Sequence, residues 1–455
     1  MTEMFKRYMQ GVDAAVANTP RHRNRVVDSW RVIALFFVVF GHWISASIWV
    51  LDDGTIRALN TLQWIPGAEY WTWVFQVMPI FFIVGGYANA VALRREDLDY
   101  RLWIIGRTRR LYTPVVPLIL VWVLLVLLLR PHIPSDVLHT GTLSATIPLW
   151  FVAVYLAVIA LAPITYAWWQ RSGPVSALIL AGAAISIDIA RFSLDIEAIG
   201  WANYIFVWAF LHQLGYWWAD RANRNLGAAP GIGALMIAMG MGALVLATTI
   251  GWYPVAMVTI PGGGTTNMIP PTFANGLLGM AHAGLILATL GVAHRIASRK
   301  VMWRGVIAVS GSMMTIYLWH LTALSLMGAL GIFLFDGWLF SFEPGTGSWW
   351  MMRIPFFALL IGMTLLLVAL FGRFEYRINE SPRPRSWAAL ILGLIFAIAA
   401  ASAMAFVGIV DQEGAVSWAT PVVALAGAAL LGATPKRSGD QPKIEEKPGP
   451  SGRSN

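Results

Sequence analysis

The stretch RVIALFFVVFGHW, residues 31–43, carries Arg31 at its start and His42 near its end, with no polar side chain from Val32 to Phe40. In a helix the two lie roughly 16 Å apart along the axis, about half the thickness of a bilayer core. An arginine at one membrane surface therefore implies an imidazole near mid-depth. An ionisable group at that depth is costly and marks a functional site by default, although the same residue could hydrogen-bond a neighbouring helix and hold a bundle together. A neutral imidazole so placed can act as general base on a hydroxyl or accept a transferred group itself.

Three further stretches carry chemistry-bearing side chains. GRTRRLYTP at 106–114 sets Arg107 and Arg110 three apart, on one face of a helix, just before an apolar run. With Arg94, Arg95, Arg101 and Arg109 they make the densest basic patch in the chain. Guanidinium clusters suit multiply charged phosphates, while anchoring at a cytosolic surface accounts for the same residues without any ligand. MPIFFIVGGYANA at 78–90 puts Pro79 and Gly85-Gly86 inside an apolar segment, which either loosens a helix or lets a neighbour or ligand approach its backbone. SMMTIYLWHL at 312–321 carries Tyr317 and His320 beside Trp319, which reads equally as an acceptor-side pair or as an interfacial aromatic anchor. His212 and His282 read as structural groups within apolar segments.

The elements that must position these residues are set by lipid. The 455 residues are 58% hydrophobic and 12% charged, and a soluble chain would carry about twice that charge. Apolar segments long enough to span recur at about residues 30–50, 71–93, 112–130, 147–169, 174–190, 201–219, 230–250, 275–293, 305–335, 351–372, 386–410 and 415–434. Placing the N-terminus in the cytosol and alternating puts 28 of the 32 Lys and Arg residues inside, leaving Arg57, Arg130, Arg191 and Arg353 outside. This predicts an all-α polytopic membrane protein of twelve spans with both termini cytosolic, in the cytoplasmic membrane. The net charge of +9 is then topology, not a nucleic-acid surface. With no cysteine, disulfides, thiolate metal sites and a cysteine nucleophile are excluded. SAS at 45–47 resembles a cleavage site, but the long polar lead and the return of IWVL favour an uncleaved first span. Residues 1–29 form a cytosolic segment, and the Pro/Gly-rich polar tail at 435–455 should be disordered.

Taken together, these residues resemble the acyltransferase-3 family of integral membrane acyltransferases. Arg31 and His42 match the Arg and His of that family's first helix, and Phe81, Phe82 and Gly85-Gly86 resemble the Phe-Phe and small-residue turn of its second. Arg107 and Arg110 match the Arg-x-x-Arg before its third helix, with Leu111 and Pro114 following. LWFVAVYLAVIALAPI at 149–164 is similar to its fourth helix, and SMMTIYLWHL to its ninth. The turn here reads Val84-Gly85-Gly86 where the family usually has Ser-Gly after a leucine.

The resemblance implies a ten-helix acyltransferase core over 30–372, with an additional two-helix hairpin over 373–434. It implies transfer of an acyl group, often acetyl, from cytosolic acyl-CoA (acetyl-CoA above all) to a hydroxyl of an envelope sugar, glycolipid or related carbohydrate, with no metal. His42 would then be catalytic, Arg31, Arg107 and Arg110 would hold the donor phosphates, and Phe82, Tyr317 and His320 would line the substrate. The hairpin and tail could recruit an envelope-biosynthesis partner. A rival reading is a transporter or exporter without acyl transfer, with PGGG at 261–264 as an outer hinge. The absence of a two-half repeat and the scarcity of intramembrane acids weigh against it.

Overall fold

The structure is a computed structural model that describes residues 2–20, 23–376 and 383–433; the tail expected to be disordered lies outside them. Backbone polar groups in lipid must be satisfied within each segment, and the chain answers with helices. After α1 (Thr2–Ala17), α2 (Arg25–Ser45) starts at Asn24, whose side chain accepts from the Val26 and Val27 N–H groups. A short antiparallel hairpin follows, β1 (Ala46–Val50) with β2 (Ile56–Asn60), Ala46 opposite Asn60. Two single turns, α3 (Thr61–Trp64) and α4 (Thr72–Phe75), lead to α5 (Met78–Leu93), which carries Pro79 in its first turn, where no hydrogen bond is lost.

Prolines also break the next two crossings. α6 (Tyr100–Tyr112) and α7 (Val115–Leu129) meet at Thr113-Pro114, and α8 (Ser135–Thr146) and α9 (Leu149–Ser172) meet at Pro148. α10 (Pro174–Ser193), α11 (Asn203–Asn223), α12 (Pro230–Thr249) and α13 (Phe273–Ser298) follow. The chain then runs through α14 (Lys300–Ser310), α15 (Met313–Phe335), α16 (Gly347–Phe371) and α17 (Arg373–Tyr376) to a last hairpin, α18 (Trp387–Val407) and α19 (Ala419–Leu431).

Among the described residues, ten of the twelve expected spans are helices long and apolar enough, by length and composition, to cross a bilayer. α11 has the length, but Asn203, His212, Gln213 and Asp220 dilute its hydropathy. α19 has only 13 residues, about 20 Å against a hydrocarbon core of about 30 Å, because Gly432 takes a left-handed conformation and ends it. The segment at 305–335, long enough to be kinked at its glycines, is two helices that part at Gly311, with α14 stopping at Ser310 and α15 starting at Met313.

The tightest crossing brings α5 against α11. A methyl group on Gly86 would land on the His212 carbonyl, and one on Gly215 on the Ile83 carbonyl, so the glycines serve close backbone approach and α5 stays one continuous helix. The last hairpin is not a loose appendage. Thr146 Oγ1 donates to the Met404 carbonyl at 2.7 Å and Tyr112 OH to the Ala424 carbonyl at 3.3 Å, and Leu390, Ala397 and Ala424 share the main apolar core. The loop at 250–272 is braced. Asn267 Nδ2 donates to the Pro254 and Ala256 carbonyls, its Oδ1 accepts from Thr272 Oγ1, and Gln63 Nε2 donates to the Pro261 carbonyl. The PGGG segment read as a hinge is therefore tied on its flank.

Candidate active site

Arg31 and His42 are eleven positions apart on α2, a little over three turns, so they share a face within roughly 20°. His42 is half-buried, and its Nδ1 lies 2.8 Å from Nε2 of His320 on α15. The ring planes differ by 5° with centroids 5.1 Å apart. Parallel rings stacked face to face could not bring two ring nitrogens that close, so the imidazoles lie edge to edge in one plane, the geometry of a good hydrogen bond. Trp43 Nε1 donates to the His320 carbonyl at 3.1 Å and locks α2 to α15 at this level. The sequence reading put His42 at mid-depth and His320 in an acceptor-side pair or an interfacial anchor; the structure puts the two histidines side by side.

The direction of the hydrogen bonds can be assigned. His320 Nδ1 lies 2.7 Å from the Tyr317 carbonyl, which can only accept, so Nδ1 carries the hydrogen. In a neutral His320, Nε2 is then the acceptor. His42 Nδ1 must donate to it, which leaves the lone pair of a neutral His42 on Nε2. Among the described residues no group hydrogen-bonds that nitrogen. A lone pair held in a fixed direction by a second group, itself fixed by a third, is the arrangement of an oriented base.

Tyr317 is buried and its hydroxyl donates to the Pro148 carbonyl at 3.0 Å, at the break between α8 and α9. Its ring meets Phe151 at 5.3 Å. Phe82 is fully buried, stacked on Trp208 at 4.5 Å and edge-on to Phe151 and Tyr155 at 5.7 and 5.6 Å. An aromatic wall thus runs from Phe82 through Phe151 to Tyr317 and the histidine pair. Gly85 makes room for the Tyr155 hydroxyl, which a Cβ there would overlap.

Towards the N-terminal end of α2, Arg107 lies within electrostatic reach of Arg31, Arg110 and Tyr155, so the three arginines singled out from two stretches of sequence lie near one another. The nearby carboxylate, Asp28, already pairs with Arg23 at 2.7 Å and Arg31 at 3.3 Å. Guanidiniums therefore outnumber acids there, an excess suited to polyanionic phosphate. Arg94, from the same basic patch, is consumed structurally by Asp220 at 2.5 Å and Tyr166 at 3.2 Å. His212 accepts from Asn89 at 3.0 Å between α5 and α11, and Asp188 is a buried hub accepting from Asn203, Tyr253 and Phe273. Two concave pockets, of about 440 Å³ beside Tyr100 and Trp168 and about 420 Å³ beside Asp13 and Arg304, do not touch His42.

The family model for an acyltransferase domain matches residues 24–373, which hold Arg31, His42, Phe82, Arg107, Arg110, Tyr317 and His320. The chain belongs to the acyltransferase-3 family. No curated protein and no solved structure matches it. Membership makes this a membrane acyltransferase, and the matched stretch ends before α18. Sequence reasoning missed several residues that shape this candidate site. Trp43 and Phe151 lie inside quoted motifs but look like ordinary apolar filling. Asp28 carries a visible signal, standing three residues before Arg31. Glu375, beyond α16, accepts from the Met314 and Thr315 N–H groups at 3.1 and 2.9 Å and so caps the helix that carries His320. Nothing near Glu375 in sequence announces that contact. Among the described residues no three His, Asp or Glu side chains gather as a metal site would require.

Proposed function

We propose that this acyltransferase moves an acyl group, acetyl above all, from cytosolic acyl-CoA to a hydroxyl of an envelope sugar, glycolipid or related carbohydrate. The observation that carries this is the fixed chain from the Tyr317 carbonyl through His320 to His42 Nδ1, which leaves His42 Nε2 as an oriented base. Arg31, Arg107 and Arg110 hold the donor phosphates near one end of α2. A pantetheine arm lifts the thioester on the order of 15 Å, the distance one helix places between Arg31 and His42.

His42 Nε2 takes the proton of the acceptor hydroxyl as its oxygen closes on the thioester carbon. The C–S bond breaks, and the same proton passes to the departing sulfur, so the imidazole ends the cycle neutral. His320 acts as a positioning residue in this reading, and Phe82 and Tyr317 wall the site rather than touch the reacting atoms. Nothing in the braced outer loop favours the transporter reading over this one.

The test uses inside-out membrane vesicles given radiolabelled acetyl-CoA, following label into lipid, glycan and soluble fractions. Label that enters one fraction and is lost in His42→Ala at equal protein level supports the reading and names the acceptor class. Equal labelling by both proteins removes His42 from the chemistry. Silence across acetyl-CoA and longer acyl-CoAs turns the case toward the transporter.

A further inference from the structure

Of the four arginines that the charge alternation leaves on the outer side, Arg57 and Arg130 are exposed and Arg191 pairs with Glu197 at 2.9 Å. Arg353 differs from all three. It is 6% exposed, and no carboxylate of the described residues pairs with it. Its Nη2 donates to the Ala46 carbonyl at 2.6 Å, its guanidinium lies over Trp349 at 4.2 Å, and its Nε is buried with no hydrogen-bond partner among the described residues. A guanidinium has five N–H donors and accepts nothing, so most of them are left for another group. Burying such a cation without a counter-charge is costly, and a single helix-end carbonyl is a weak reason to do so, because a surface cation near a helix C-terminus serves as well.

Its position supplies a stronger reason. Ala46 caps α2, with its N–H on the His42 carbonyl, so the guanidinium stands about one turn beyond His42, on the side away from Arg31. Phe357, one turn along α16 from Arg353, packs on Phe40 and Trp43 at 5.9 and 6.4 Å and fixes α16 against the same segment.

We infer that Arg353 binds an anionic group of the acceptor, a carboxylate or phosphate ester close to the hydroxyl that is acylated. The inference rests on the reading of His42 as the base. The planar fork of Arg353 can take two oxygens of such a group at once. Cations then bracket the base on α2, those near Arg31 for the donor and Arg353 for the acceptor.

The test labels envelope products in vesicles holding the whole chain, with radiolabelled acetyl-CoA, and separates them by anion exchange before and after cleavage of phosphate esters. His42-dependent label should run as anionic. Retention lost after cleavage names a phosphate, and retention kept names a carboxylate. Arg353→Gln should lower that label about thirtyfold or more, as truncating one partner of a buried charge pair does, while acetyl-CoA binding stays within about twofold. Arg353→Lys should recover part of it. A helix cap and nothing more would instead lower melting temperature and reduce label on all products alike. His42-dependent label on neutral products overturns the inference, leaves acyl transfer standing, and requires no variant to fold. Equal labelling by wild type and Arg353→Gln overturns it too. Absence of any His42-dependent label brings down acyl transfer and this inference with it.

Discussion

At the scale of single residues, the two histidines should separate cleanly in kinetics. His42→Ala should lower kcat by on the order of 10²–10⁴, the range of a lost general base. His320→Ala leaves a base whose lone pair is no longer held, so kcat should fall by about 10² with the KM for acyl-CoA little changed. A fall in kcat matched by a rise in that KM would instead mean that His320 holds the donor. Arg107→Ala should do the opposite of both, raising the KM for acyl-CoA about tenfold or more, since a charge-assisted contact is worth about 1.5–3 kcal/mol. Initial rates at varied acyl-CoA decide all three. Arg31 and His42 were legible in the sequence because one helix fixes both their spacing and their face. The bond between His42 and His320 was not, since its partners stand 278 positions apart and share no local pattern.

At the scale of elements, the α5–α11 crossing makes a sharp comparison. Gly86→Ala drives a methyl onto the His212 carbonyl, an overpacking that should cost about 1–3 kcal/mol. Gly242→Ala on α12 meets nothing within 4 Å and should be neutral or slightly stabilising. Melting of the detergent-solubilised protein would show whether the two glycines differ as expected. Glu375→Ala removes an acceptor from the start of α15 and should cost about 1–2 kcal/mol by the same assay, as lost N-terminal caps do. Ten crossings could be read from hydropathy because lipid enforces long apolar runs. Hydropathy alone does not show the break between α14 and α15, because residues 311–312 barely interrupt the apolar run, but Gly311 marks it in the sequence. The short reach of α19 was hidden likewise, since Gly432 stops a helix by conformation and not by polarity.

At the scale of the whole molecule, a chain without cysteine allows each loop to be reported by one introduced thiol. If the basic residues set the topology, Asp53→Cys and Glu343→Cys should react with an impermeant maleimide in intact cells. Asp97→Cys and Asn225→Cys should react only after permeabilisation. Labelling of Asp97→Cys in intact cells would invert the arrangement and put the Arg31–Arg107–Arg110 cluster on the wrong side for a cytosolic donor. One contact described above also bears on how such a molecule opens. The hydrogen that aims His42 comes from a partner on a different helix, and Trp43 bridges the same two helices. Any motion that parts α2 from α15 far enough to admit a bulky sugar also lets the imidazole turn. If His42 is the base and the acceptor enters between these helices, opening and reactivity would exclude each other, and a thioester donor would be spared from water until the acceptor had sealed the site.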